Sequence, residues 1–124
     1  MKKERPIHLA LYQIKQPLPA IVSILHRISG LLLFIALPLL LLALQYSLRS
    51  IETHTQLLGV LSQPLLKLMM LGLLWAFLHH FCAGIRYLLI DVRIGSDLAR
   101  ARYSSKLVLA VSLLLTVVLG AKLW

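Results

Sequence analysis

The sequence predicts an all-α membrane protein built from three transmembrane helices, and three observations carry that expectation. Hydrophobic residues make up 60% of the 124 positions and charged ones only 14%, more apolar side chain than a soluble domain of this length can bury. The charges that are present bracket long uncharged runs. The basic residues, 13 against 4 acidic ones, crowd into some connecting segments and avoid others.

The first uncharged run covers 28–48, between Arg27 and Arg49. A helix needs about 20 apolar residues to cross the hydrocarbon core, with a range of roughly 17–25, so this run qualifies by itself. The second, 68–85, lies between Lys67 and Arg86, and the third, 107–121, between Lys106 and Lys122. Both are slightly short, but a lysine near a helix end extends its amine to the interface and Trp124 is suited to anchor there. The helices are expected near 21–48, 65–90 and 104–123, in a single domain spanning 1–124. A cleaved signal peptide would need a shorter apolar stretch directly after a basic start, so the N-terminus is expected to be retained.

Loop charge sets the orientation. Lys2, Lys3, Arg5 and Lys15 precede the first helix, and Arg93, Arg100, Arg102 and Lys106 lie in the segment 91–106. Only Arg49 and Lys122 mark the other side. By the excess of Lys and Arg on the cytoplasmic side, the N-terminus and the 91–106 segment are expected there. The net charge of +9 then reads as topology with some contact to anionic lipid, and a nucleic-acid partner is not expected. The lone Cys82 falls inside the second span, where it forms no internal disulfide and reads as a small packing residue. Pro38 removes a backbone donor from the first helix and is expected to kink it.

Polar groups at membrane depth are expensive and face the protein interior, which singles out two clusters. Ser23, His26, Arg27 and Gly30 have offsets of 0, 3, 4 and 7, one face of the first helix. A hydroxyl, an imidazole and a guanidinium on one face can hydrogen-bond a quinone carbonyl or pair with a propionate; the alternative is that His26 and Arg27 sit at the headgroup level. The second cluster is Trp75, His79, His80, Gly84, Arg86, Tyr87 and Asp91. His80, Gly84, Tyr87 and Asp91 again share a face, and Ala76 lies one turn before His80. Small residues flanking an imidazole leave room for a flat ring, as a haem ligand requires, with a second ligand coming from elsewhere. His80 lies about 16 Å from Asp91 along the helix, near mid-membrane; a structural hydrogen-bonding role is the alternative. His79 points about 100° away and suits packing against a partner helix. Arg86 and Asp91 are candidates for an ion pair at the helix end, although their spacing is poor for one.

No Gly-rich phosphate loop, iron–sulfur cysteine set or dinucleotide fingerprint is present, and no carboxylate pair lies inside a span. Such a chain reads as a cofactor-binding anchor whose chemistry begins in another polypeptide.

The segment Arg5-Pro6-Ile7-His8-Leu9, followed by Ser23-Ile24-Leu25-His26-Arg27-Ile28-Ser29-Gly30, resembles the N-terminal signature of the cytochrome b556 subunits of succinate dehydrogenase (complex II). His80-Phe81-Cys82-Ala83-Gly84-Ile85-Arg86-Tyr87, closed by Asp91, is similar to their second signature. The resemblance implies a bacterial inner-membrane anchor that forms a bundle with a second small membrane anchor subunit. It holds a flavoprotein subunit and an iron–sulfur subunit on the cytoplasmic side, and electrons pass to ubiquinone with one haem b between the two anchors. It further implies His80 as axial ligand of the haem iron, His26 and Arg27 close to the haem propionates, and Ser23 with Arg27 at the quinone. Many family members have His where this chain has Tyr87, which leaves a second imidazole role without a carrier. Two alternatives stand beside this reading: a fumarate reductase anchor working with a low-potential quinone, and a small oligomeric membrane transporter with His79, His80 and Arg86 on its pathway. Transporters of that kind more often place Glu or Asp within a span, and this chain has none there.

Overall fold

The computed structural model describes residues 13–124, so the Arg5–Leu9 signature and Lys2, Lys3 and Arg5 lie outside the described residues. The described chain contains four helices and no strand: α1 (Leu18–Ser47), α2 (Ile51–Leu61), α3 (Pro64–Asp91) and α4 (Leu98–Leu123). Three of them, α1, α3 and α4, are long and apolar enough to cross a membrane, in agreement with the three expected spans.

The boundaries follow local chemistry. Pro17 is extended and Pro19 occupies the first turn of α1, where a missing N–H costs nothing. Pro64 opens α3 in the same way. The helix α1 continues through Pro38, which leaves the Phe34 carbonyl without its usual donor. Asp97 caps α4 by accepting from the Arg100 amide at 3.2 Å, so that helix starts at Leu98 and not near 104. The cationic residues expected in a loop instead occupy its first turns.

The short helix α2 is a further correction, since no helix was expected between the first two spans. Ser50 caps it in a reciprocal box with Thr53, the arrangement that satisfies two orphan amides at once. It is tied back to α1 by Tyr46 Oη donating to Gln56 Oε1 at 2.6 Å and by a Ser47–His54 hydrogen bond of 3.0 Å.

Helix α3 is the centre of the bundle, packing on α1 along one side and on α4 along another. The three converge at Val22, Ala83 and Val108, flanked by Cys82, Tyr87 and Leu109. Cys82 is a free, half-buried packing residue, as expected. Small side chains dominate the seams because lipid tails are as apolar as leucine, so helices associate in a bilayer through close packing and interhelical polar contacts. On α4 the buried stripe is Ser105, Val108, Ser112 and Gly120. Its hydroxyls are satisfied by their own helix, Ser105 bonding the Ala101 carbonyl at 2.8 Å and Ser112 the Leu109 carbonyl at 3.1 Å. At Gly120 a Cβ would come within 2.5 Å of Leu71 Cδ2.

The antiparallel order brings Lys15, Arg93, Arg100, Arg102 and Lys106 to one end and Arg49 and Lys122 to the other. At the first end α3 stops with Arg93 in the left-handed region at φ 62°, while Ile94 N–H bonds back to the Leu89 carbonyl at 2.9 Å. At the other end the Lys67 amine lies 4.9 Å from the Trp124 ring centroid and 3.4 Å from its main-chain oxygen. In contrast to α3, α1 is barely covered: Val22 and Ser29 are its only buried residues.

Candidate functional site

Where α1 crosses α3, two of the singled-out imidazoles meet. The His26 and His80 rings stack with centroids 4.2 Å apart and planes 7° from parallel. Gly30 permits this: a Cβ there would come 2.8 Å from His80 Cε1, so the imidazole occupies the volume a side chain would take. Gly84 has only His26 Nε2 near it, 3.8 Å from where its Cβ would lie. Ala76, the other small neighbour of His80, is buried in the bundle.

The hydrogen bonds assign the tautomer of His80. Its Nδ1 is 3.0 Å from the His26 carbonyl oxygen, which can only accept. Ser29 Oγ gives its own hydrogen to that carbonyl at 3.0 Å and lies 3.4 Å from Nδ1. Nδ1 therefore carries the proton, and the lone pair is on Nε2. Among the described residues Nε2 has no hydrogen-bond partner and is not buried. A histidine tied through Nδ1–H to a backbone carbonyl, with Nε2 open, is oriented as metal-bound histidines are. No group of three or more His, Cys, Asp or Glu that could hold a bare metal ion occurs among the described residues. His80 Nε2 is one imidazole nitrogen that could be given to an ion whose other ligands come from elsewhere.

The remaining residues separate from one another. His26 lies at the site, half-buried, with the Tyr87 ring 5.2 Å away. Tyr87 Oη is buried and has no partner, a donor available beside His26. Ser23 is half-buried, and Arg27 is exposed with no bond to the described chain, so the expected single face spreads from the α1–α3 seam to the outside of α1. His79 is fully buried and stacked on Trp75 at 5.2 Å; its two ring nitrogens and Trp75 Nε1 are buried without partners. It thus packs inside this bundle. Arg86 does not pair with Asp91: its Nε donates to Ser104 Oγ at 2.9 Å and its Nη2 to the Ala101 carbonyl at 3.3 Å, while Asp91 is exposed. The part of Ser29 was missed from sequence, although its place three residues after His26 puts it on the same helical face.

The profile of the succinate dehydrogenase/fumarate reductase transmembrane subunit family matches residues 1–119. The chain belongs to this family. It is similar to the succinate dehydrogenase cytochrome b556 subunit of Coxiella burnetii, 35% identical over the full length of both chains. It is also similar to that of Paracoccus denitrificans, 32% identical over 91% of this chain and 87% of that one. The mitochondrial succinate dehydrogenase cytochrome b560 subunit of Dictyostelium discoideum is 29% identical over 90% of this chain and 57% of its own length. The family and the three spans make it a multi-pass membrane protein. Membership in a respiratory anchor family also replaces the transporter alternative.

Proposed function

We propose that the chain is the haem b- and quinone-binding anchor of succinate dehydrogenase, delivering electrons from an iron–sulfur subunit to ubiquinone. The observation that carries this reading is the state of His80: Nδ1–H held by the His26 carbonyl, and Nε2 without a hydrogen-bond partner among the described residues and not buried. It agrees with the relatives being named cytochrome b subunits.

In this reading His80 Nε2 would ligate the haem iron from this chain, and a second small anchor would supply a further ligand. A bound haem would supply a one-electron carrier between the iron–sulfur subunit and the quinone pool. His26 fixes the ring of His80 through its carbonyl and its stacked imidazole. His26, Arg27 and the free hydroxyl of Tyr87 are donors for propionate carboxylates, Arg27 through its fork of N–H groups. Ser23 and Arg27 bind the quinone, the hydroxyl and guanidinium hydrogen-bonding a carbonyl oxygen. The lightly covered surface of α1 is where the second anchor packs. By the charge excess, the N-terminus and the α3–α4 connection face the cytoplasm, and the flavoprotein and iron–sulfur subunits dock there. The family description covers both succinate dehydrogenase and fumarate reductase; the relatives named as succinate dehydrogenases favour the first direction.

The test is the optical spectrum of the complex purified in mild detergent. A b-type haem spectrum is expected from the unaltered complex, and its loss or alteration in His80→Ala. An unchanged spectrum in that variant removes His80 as ligand.

A further inference from the structure

On the side of α3 away from His80, a groove of about 430 Å³ runs between α3 and α4. Cys82, Ile85 and Leu89 of α3 and Leu107 and Val111 of α4 form its walls, while Arg100 and Arg86 bring positive charge to the end near Gly95. Arg86 is 6% exposed. Its two hydrogen bonds go to neutral oxygens, and none of the described carboxylates, Glu52, Asp91 and Asp97, pairs with it. A guanidinium at membrane depth without a counter-charge is costly and calls for an anionic partner.

We propose that this groove holds an acyl chain of an anionic phospholipid, with the lipid's phosphate and ester oxygens at Arg86 and Arg100. Three features favour this occupant. The walls are hydrocarbon and the charged end lies where α3 and α4 emerge, the polarity order of a membrane lipid. From Arg100 to Val111 the groove extends about 16 Å along α4, comparable to a lipid tail. Its α3 wall lies about 140–200° around the helix from His80 at 100° per residue. A second anchor seated on the His80 side, as the proposed function has it, leaves the groove facing lipid. The Arg100 guanidinium is largely exposed and ion-paired with Asp97 Oδ1 at 3.4 Å, a surface pair weak enough to exchange for a headgroup.

The test uses the assembled complex, stripped of lipid in detergent and titrated with phosphatidylglycerol or phosphatidylcholine of the same chains. Bound lipid is counted by native mass spectrometry. Phosphatidylglycerol is expected to bind more tightly than phosphatidylcholine, and inorganic phosphate is expected not to displace it. Arg86→Gln should weaken phosphatidylglycerol binding about fivefold, the share of one basic residue near anionic lipid. Leu107→Trp, which fills the groove from an exposed position without touching Arg86, should weaken both lipids and leave the haem spectrum unchanged. If Arg86→Gln does not assemble, Leu107→Trp decides. Equal binding of the two lipids, displacement by inorganic phosphate, or binding unchanged in Leu107→Trp overturns the proposal. The haem spectrum of His80→Ala bears only on the proposed function.

Discussion

The imidazole of His80 lies flat against that of His26, 4.2 Å between centroids, and its Nδ1–H points at the carbonyl of that same residue. One residue of α1 therefore sets both the plane and the tautomer of the ring on α3. The acceptor for Nδ1–H is a backbone carbonyl and not a titratable side chain.

This arrangement leaves Gly30 no tolerance. Gly30→Ala would drive a methyl to 2.8 Å from His80 Cε1, and relief requires turning the ring or spreading α1 from α3, at about 1–3 kcal/mol. The expected outcome is a complex that contains less haem per flavin and shows a shifted haem midpoint potential. Haem content and potential equal to the unaltered complex would count against the tight fit.

Ser29→Ala is the contrasting case. It removes the 3.4 Å contact to Nδ1 and the serine's own bond to the His26 carbonyl, and keeps the 3.0 Å bond from His80 Nδ1 to that carbonyl, so the cost should stay within about 1 kcal/mol. Redox titration of the haem should give a potential close to that of the unaltered protein, unlike Gly30→Ala.

Arg27 makes no bond to the described chain, so Arg27→Ala should leave thermal stability nearly unchanged. Quinone reduction should fall about 10–100-fold, the worth of a hydrogen bond to a charged donor, while succinate oxidation with a soluble dye persists. Equal loss of the two activities would exclude Arg27 from the quinone.

Arg93 adopts φ 62° at the end of α3, a conformation that costs a non-glycine residue about 1 kcal/mol or more. Arg93→Gly should therefore raise the temperature of thermal denaturation, read by loss of the haem absorbance, with no change in haem content. A lowered midpoint would mean that the arginine side chain contributes more than its backbone costs.

Gly120→Ala should destabilise the bundle by about 1–3 kcal/mol through overpacking against Leu71. Combined with Leu71→Ala, the loss should be smaller than the sum of the two single changes. A double-mutant cycle of denaturation measurements reads this coupling; strict additivity would show that the two residues do not press on each other.

Much of the fold was legible because a bilayer imposes a coarse rule: charge-free length decides what crosses. The runs after Arg27 and Lys67 marked α1 and α3 to within a few residues. The start of α4 was misjudged because Arg100, Arg102 and Lys106 read as loop, while the Asp97 cap that begins the helix was overlooked. The Ser50–Thr53 box announcing α2 lay in a segment too short and polar to register as a span. At the site, period alone grouped His26 with Gly30 and His80 with Gly84, but which side of α1 meets α3 is a property of packing. For that reason Arg27 was placed with His26 although it points outward, and the depth of His79 went unseen.

Two contacts described for the fold act together on α3. Gly30 of α1 receives the His80 ring and Gly120 of α4 receives the Leu71 side chain. Those two side chains lie nine positions apart, on opposite sides of the helix and about 13–14 Å apart in depth. A rod pressed from opposite sides at two heights resists tilting and turning alike, as a shaft does between two bearings. The aim of the His80 nitrogen is then set partly at the far face of the membrane, where loosening one bearing lets the whole shaft swing.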